Sequence, residues 1–297
     1  MKRVGVVGLG DMGLAMARNI IGRGFQLTGF DLREERRRML EENGGTPAGS
    51  VAEVGAGSDV VFVMVLNGRQ VDDVVRGEDG LLTTLRPGST IIVSATIEPD
   101  EIRGIAGTIA ERGIELIDSP VSGGKSGAEG GTLTLMAAAR GDVFESHLDV
   151  LEAVGEKIFH VGEDVGKGQT VKAALQAFIG ATFTAIFESL VLGSKAGVEG
   201  KVLYEVFTSS GVGSPLLENC ARLIMDRSFK DTGSHIGTMY KDLGISMNLA
   251  RKSGVSMFTT AAANELFQSG ISLFPDEDNW SIVKLLEQIA GTEVTWE

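Results

Sequence analysis

The chain has one cysteine in 297 residues, Cys220. A single thiol allows no internal disulfide and no cysteine-rich metal centre, and its ordinary place is as a small buried apolar side chain. Histidine is nearly as scarce. His147, His160 and His235 stand apart and match no metal-ligand spacing, so each reads as structural and no metal is expected. Positive charge is in deficit: 27 Lys and Arg against 40 Asp and Glu give a net charge of −13. That balance argues against nucleic acid and anionic membrane surfaces as partners. An anionic small molecule would need a locally positive pocket. Met1–Gly8 runs straight into a strand-like segment with no signal-peptide apolar region, so a cytoplasmic location is expected. No internal repeat or low-complexity segment is present.

The remaining composition, 43% hydrophobic and 23% charged, is that of an ordinary globular protein, and the length suits two domains. One stretch organises the chain. From Gly166-Lys167-Gly168 the sequence runs to Gly193 without a proline, and Ala173–Leu192 is almost wholly small or apolar. A helix apolar on nearly all sides belongs in a core or a membrane. Glu188 and Gln176 lie inside it and no basic cluster flanks it, which disfavours a span. Lys172 and Gln176 are one helical turn apart and point the same way. This helix is expected to join two domains and carry the Lys172 amine into the cleft between them.

The first 31 residues show a strand, a glycine turn, a helix, a second strand and an acid. Lys2–Val7 is followed by Gly8-Leu9-Gly10-Asp11-Met12-Gly13, the helical Ala15–Arg23, the strand Gln26–Phe30 and Asp31. G-x-G-x-x-G is weak alone but specific in this order. Gly8 permits the tight turn, Gly10 the approach of a pyrophosphate, and Gly13 close helix–strand packing, with Leu9 and Met12 completing the cofactor loop. Asp31 accepts from the adenosine ribose hydroxyls and repels a 2′-phosphate, which favours NAD. Arg33, Arg36, Arg37 and Arg38 leave NADP open, since an arginine there could hold that phosphate; otherwise they form a solvated helix face. Asp11 must point its carboxylate away from the pyrophosphate.

Strand and helix signals then alternate. Strands are expected at 59–66, 90–94, 115–117, 132–138 and 157–161, with helices at 69–76 and from Thr96 onward. Parallel strands with crossover helices give an α/β, Rossmann-type doubly wound sheet that binds ligands at the strands' carboxyl ends. The loop Asp118–Ser126 is neither a P-loop nor a nucleophile elbow. Its Ser122 hydroxyl and the N–H groups of Gly123 and Gly124 can cradle a carboxylate; otherwise it is a flexible linker. The second half reads as helices at 202–208, 216–226, 238–252, 259–269 and 280–289, the last with Ile282, Leu285, Leu286 and Ile289 on one side. The expected domains are residues 1–163, which bind the dinucleotide, and an all-α substrate and dimerisation domain at 164–297, which includes the long helix 168–195. Tyr240-Lys241-Asp242-Leu243-Gly244 sets a second lysine near a helix start.

Together these motifs resemble the β-hydroxyacid dehydrogenase family, of the 3-hydroxyisobutyrate dehydrogenase-like kind. Ser209–Asn219 and the C-terminal helices are similar to its L-threonate dehydrogenase-like branch. The resemblance spans nearly the whole chain through Gly8–Asn19, Asp118–Gly124, Gly166-x-Gly168-x-x-x-Lys172 and Lys241–Gly244. It implies an NAD(P)-dependent oxidoreductase acting on a small β-hydroxy acid or its oxo or semialdehyde form. Lys172 would be the acid/base, its pKa lowered by desolvation. Ser122, Gly123 and Gly124 would hold the substrate carboxylate, Leu66, Gln70 and Thr96 would line the cofactor, and Lys241 would close over the nicotinamide end. It also implies a homodimer or homotetramer. One position departs: the family's asparagine four residues after the lysine is Gln176 here. Two other functions remain open, a non-catalytic NAD(P)-binding reader and an imine reductase.

Overall fold

The computed structural model describes residues 1–297. The chain divides into two compact units, Met1–Lys172 and Ala173–Glu297. The sequence places a boundary after residue 163; the division falls later, inside the long helix, so Lys172 belongs to the first unit.

The first unit is a nine-stranded sheet: β1 (Arg3–Val7), β2 (Gln26–Phe30), β3 (Thr46–Pro47), β4 (Val60–Val63), β5 (Thr90–Val93), β6 (Glu115–Asp118), β7 (Val121–Ser122), β8 (Leu133–Ala138) and β9 (Gly155–Gly162). Its helices are α1 (Asp11–Gly22), α2 (Glu34–Glu42), α3 (Val51–Gly57), α4 (Gly68–Arg76), α5 (Pro99–Glu111), α6 (Gly124–Gly130), α7 (Gly141–Ser146) and α8 (Leu148–Leu151). The strand order is β3-β2-β1-β4-β5-β6-β8-β7, with β9 on β8. Alternate residues bury on opposite faces. Val4, Val6, Val60 and Phe62 enter one apolar cluster, whereas Val7, Val61 and Val63 enter another. Both faces are therefore covered, which is why these strands read as unbroken apolar runs. Val7, Val63, Val93 and Asp118 end neighbouring parallel strands, so the loops after them open at one edge.

The parallel expectation fails at β8. Asp118 pairs with Ala138 and Val121 with Leu135, both antiparallel. Because these pairs share one register, β6 and β7 form a single extended run interrupted at Ser119-Pro120, and β8 folds back along it. Pro120 has no N–H to give, but its carbonyl accepts from Met136 N at 3.1 Å. The segment expected to be a loop from Asp118 therefore resumes as strand at Val121–Ser122, with only Ser119-Pro120 outside it.

α9 (Lys167–Lys195) starts in the first unit and runs through the second, which adds α10 (Gly200–Ser209), α11 (Pro215–Met225), α12 (Ile236–Ser253), α13 (Phe258–Leu273) and α14 (Ile282–Ala290). Phe183, Phe187, Leu190 and Val191 of α9 join Cys220, Ile224, Phe267 and Trp280 in one core. Trp280 meets Phe183 edge-on at 5.3 Å. Gly180 lets α9 approach α12, since a Cβ there would lie 2.6 Å from Leu243. Two expectations need correction. α9 is not sealed all round: Phe178 and Leu192 are 70% and 71% exposed, and with Val171 and the exposed Ala185 they make an apolar stripe at seven-residue steps. On α14, Ile289 faces solvent, while Glu287 is buried and clamps Arg227 through bonds of 2.5 and 3.0 Å. A charged residue takes the inner position because its partner lies 60 residues away in sequence.

Candidate functional site

The glycine turn joins β1 to α1. Gly8 adopts φ +92, and a Cβ there would lie 2.2 Å from the Met64 carbonyl oxygen. A Cβ on Gly13 would lie 1.8 Å from the Gly8 carbonyl oxygen, so α1 can press on the turn only with glycine at that place. Gly10 is different: the nearest group to a Cβ there is the Arg33 guanidinium, at 3.9 Å. No side chain caps α1. The open space at Gly10 and the uncapped N–H groups of the first turn fit a phosphate pair. Leu9 is committed elsewhere, its N–H donating to Asp31 Oδ2 at 2.9 Å, and its side chain is fully buried beside Met12.

Asp31 follows β2 directly and is held from two sides. Arg33 donates its backbone N–H at 2.9 Å and its guanidinium Nε at 3.0 Å to Oδ1. Burial pushes the Asp31 carboxyl up, but the Arg33 and Leu9 hydrogen bonds outweigh it and leave it below the ordinary value. The other arginines are each paired, Arg38 on the solvated side of α2 and Arg36 and Arg37 half-buried. Arg36 holds Asp11 at 2.8 Å, Arg37 donates to the Asp31 carbonyl at 2.6 Å, and Arg38 pairs with Glu34. Arg36 thereby answers the problem of an acid in the phosphate turn.

After β4, Asn67 and Gln70 cap α4 reciprocally. Asn67 Oδ1 accepts from Gln70 N, and Gln70 Oε1 accepts from Leu66 N, both at 2.9 Å. Gln70 thus shapes the loop and leaves Leu66 67% exposed at its tip. Thr96 lies half-buried after β5. After β7, Gly123 at φ +128 and Gly124 at φ +60 turn the chain into α6, which has no side-chain cap; both glycines are exposed and Ser122 before them is half-buried. Asn19 ties this helix to α1 by donating to the Ala128 carbonyl at 2.6 Å.

α9 carries a line of polar residues on one buried face: Gln169 is fully enclosed, Lys172 is 6% exposed and Gln176 is 8% exposed. Spacings of three and seven align them. At the base, a Cβ on Gly168 would lie 2.6 Å from the carbonyl oxygens of Asp118 and Met136, which explains the motif's second glycine. In the second unit, Gln176 Nε2 donates to Asp242 Oδ2 at 2.6 Å, and Lys241 Nζ lies 2.8 Å from Asp242 Oδ1. Lys241 is therefore bound to an acid rather than solvated. Asp118, Gln169, Asn67 and Asp242 were not legible as site residues. Asp118 carried one usable signal, its place at a strand's carboxyl end.

His147 Nδ1 meets the Val143 carbonyl at 2.7 Å, His160 Nε2 meets the Ala139 carbonyl at 2.7 Å, and His235 Nδ1 accepts from Gly237 N. Cys220 is buried and its thiol is pushed well up by desolvation.

Residues 3–162 match the family model described as the NAD binding domain of 6-phosphogluconate dehydrogenase. Residues 166–286 match the one described as NAD-binding of NADP-dependent 3-hydroxyisobutyrate dehydrogenase. The chain is 33% identical to 2-(hydroxymethyl)glutarate dehydrogenase of Eubacterium barkeri, covering 99% of this chain and 97% of that one. It is 32% identical to L-threonate dehydrogenase of Cupriavidus necator, with 97% of each covered. The crystal structure of 3-hydroxyisobutyrate dehydrogenase from Salmonella typhimurium superposes with a TM-score of 0.88 at 29% identity, covering 95% of this chain and 99% of that one. An imine reductase from Myxococcus stipitatus, with a TM-score of 0.64 and 18% identity over 96% of this chain and 99% of that one, shares the fold alone.

Proposed function

Since the chain belongs to the NAD(P)-dependent β-hydroxyacid dehydrogenase family, we propose that it interconverts a small β-hydroxy acid and its oxo form with Lys172 as acid/base. The observation that carries this reading is the buried amine of Lys172 on the polar face of α9, in a family whose members act by hydride transfer. When bound, the nicotinamide accepts or supplies the hydride. The rest falls to the chain. In oxidation the Lys172 amine takes the proton of the substrate hydroxyl as the C–H hydride leaves, and in reduction the ammonium returns it. The N–H groups of Gly123 and Gly124 and the Ser122 hydroxyl hold the substrate carboxylate. The turn Gly8–Gly13, with Leu9 and Met12, holds the pyrophosphate; Leu66, Gln70 and Thr96 line the cofactor, Gln176 the reacting end, and Lys241 closes over the nicotinamide end.

Asp31 supports NAD over NADP, because a carboxylate held ionised at the ribose end opposes a second phosphate. Its guanidinium partner Arg33 is already engaged. The relatives' names support a small hydroxy acid as substrate, threonate and 2-(hydroxymethyl)glutarate being the first to test. The exposed stripe Val171–Phe178–Leu192 supports assembly into at least a dimer, checked by light scattering. A cytoplasmic setting suits a chain whose one thiol is enclosed in a core.

The test is a screen of hydroxy acids with NAD and NADP, followed by Lys172→Ala on the best substrate. Turnover should fall at least a thousandfold while NADH binding, read by fluorescence, stays within about threefold. Unchanged turnover in that variant removes Lys172 from the chemistry.

A further inference from the structure

Resting on that reading of Lys172, we propose that Asp118 and Gln169 are positioning residues that lock the base of α9 to the ends of β5 and β6. Both side chains are wholly enclosed. Asp118 Oδ2 accepts from Gly166 N at 2.8 Å and from Gln169 N at 3.3 Å, and its Oδ1 accepts from Gln169 Nε2 at 3.0 Å. Gln169 Nε2 also donates to the Ala95 carbonyl at 3.0 Å, and its Oε1 accepts from Ile97 N at 3.0 Å. Both side chains thus have all their polar atoms engaged.

The first N–H groups of a helix have no partner within it and are usually capped by a residue just before the helix. Here the cap comes from a strand 48 residues upstream. Above a pH of about 6 it is also ionised, which suits the positive end of a long helix. Gly168 seats the same turn directly against the Asp118 and Met136 carbonyls. Lys172 follows Gln169 by three residues, one turn up the same face. A slide or rotation of the helix base therefore moves the amine, and a misplacement of about 1 Å costs on the order of a hundredfold in rate. Gln169 also grips both backbone neighbours of Thr96, so one amide sets the helix and the cofactor-side loop together.

Charge and polarity are matched in direction as well as in burial. Asp118→Asn turns an amide N–H toward the Gln169 N–H, donor against donor. Adding Gln169→Glu gives that N–H an acceptor again and keeps the acceptor for Ile97 N, but it loses the donor to the Ala95 carbonyl, so the rescue is partial. We expect D118N to lower kcat about a hundredfold with NADH affinity within about threefold. Amide hydrogen exchange over Gly166–Thr170 should quicken at least tenfold. The D118N/Q169E pair should regain about tenfold in kcat and part of the protection. If D118N does not fold, Gln169→Leu keeps the cap and the volume but releases Ala95 and Ile97 on either side of Thr96, so it should lower kcat about tenfold and weaken NADH binding about threefold. Variants with unchanged exchange and kcat within about threefold overturn the proposal. If the wild-type protein oxidises no acid in the panel, the acid/base reading of Lys172 fails, and the exchange rates alone decide the lock: quickened exchange supports it and unchanged exchange sinks it.

Discussion

Gln176 occupies the place of the family's asparagine, and its extra methylene has a use. The amide reaches Asp242, 3% exposed, at 2.6 Å, while its second proton faces the Met239 sulfur at 3.7 Å. Asparagine would withdraw the amide by about 1.5 Å and stretch the contact to about 4 Å, beyond hydrogen bonding. The buried carboxylate would then keep Lys241 as its remaining partner on this side. A hydrogen bond to a charged group contributes about 1.5–3 kcal/mol. Gln176→Asn should therefore destabilise the second unit by about 2 kcal/mol, although it restores the family residue. Both tryptophans, Trp280 and Trp296, lie in that unit, so urea unfolding followed by tryptophan fluorescence reports on it. A cycle of Gln176→Leu, Asp242→Asn and the double variant should give a coupling of about 1.5–3 kcal/mol. A coupling under about 0.5 kcal/mol, or a neutral Gln176→Asn, would refute the assignment.

Three further outcomes are expected. Burial moves the Asp118 carboxyl up from 3.8 to about 6 against the Gly166 and Gln169 hydrogen bonds, which lower it. The folded state thus binds a proton that the unfolded state releases, and Asp118 contributes most below its unfolded value. Relative to Asp118→Asn, wild-type stability should fall as pH rises from about 4 to above 6, by about 3 kcal/mol in all at roughly 1.4 kcal/mol per unit; parallel urea titrations across that window check the sign. Arg36→Ala frees the Asp11 carboxylate beside the phosphate turn, and NADH affinity should weaken two- to fivefold at low salt, with a smaller effect at high salt. Asp31→Ala removes the proposed ribose acceptor and releases Arg33, so the ratio of NAD to NADP affinity should fall at least tenfold by fluorescence titration.

The glycine turn and the acid after β2 were legible because their signals are local. Gly8, Gly10, Gly13 and Asp31 fall within one strand–helix–strand unit, where Gly8 and Gly13 answer close approaches set by their neighbours. The long helix was legible from its apolar run. Its exposed stripe was not, because composition cannot say which apolar faces find cover. The antiparallel return of β8 was hidden for a related reason: an apolar run reads the same in either direction.

The sequence alone therefore settled what depends on periodicity and short spacing: the glycine turn, the strands with both faces covered, the acid after β2, and a lysine one turn below a glutamine on a long helix. Only the tertiary structure decided which polar group meets which. Arg36 found Asp11, Gln176 found Asp242, and Asp118 capped a helix far along the chain. The physical reason is that a buried polar atom must be satisfied by whatever donor or acceptor the fold brings within about 3 Å, and that neighbour is chosen by chain crossing, which residue spacing does not encode.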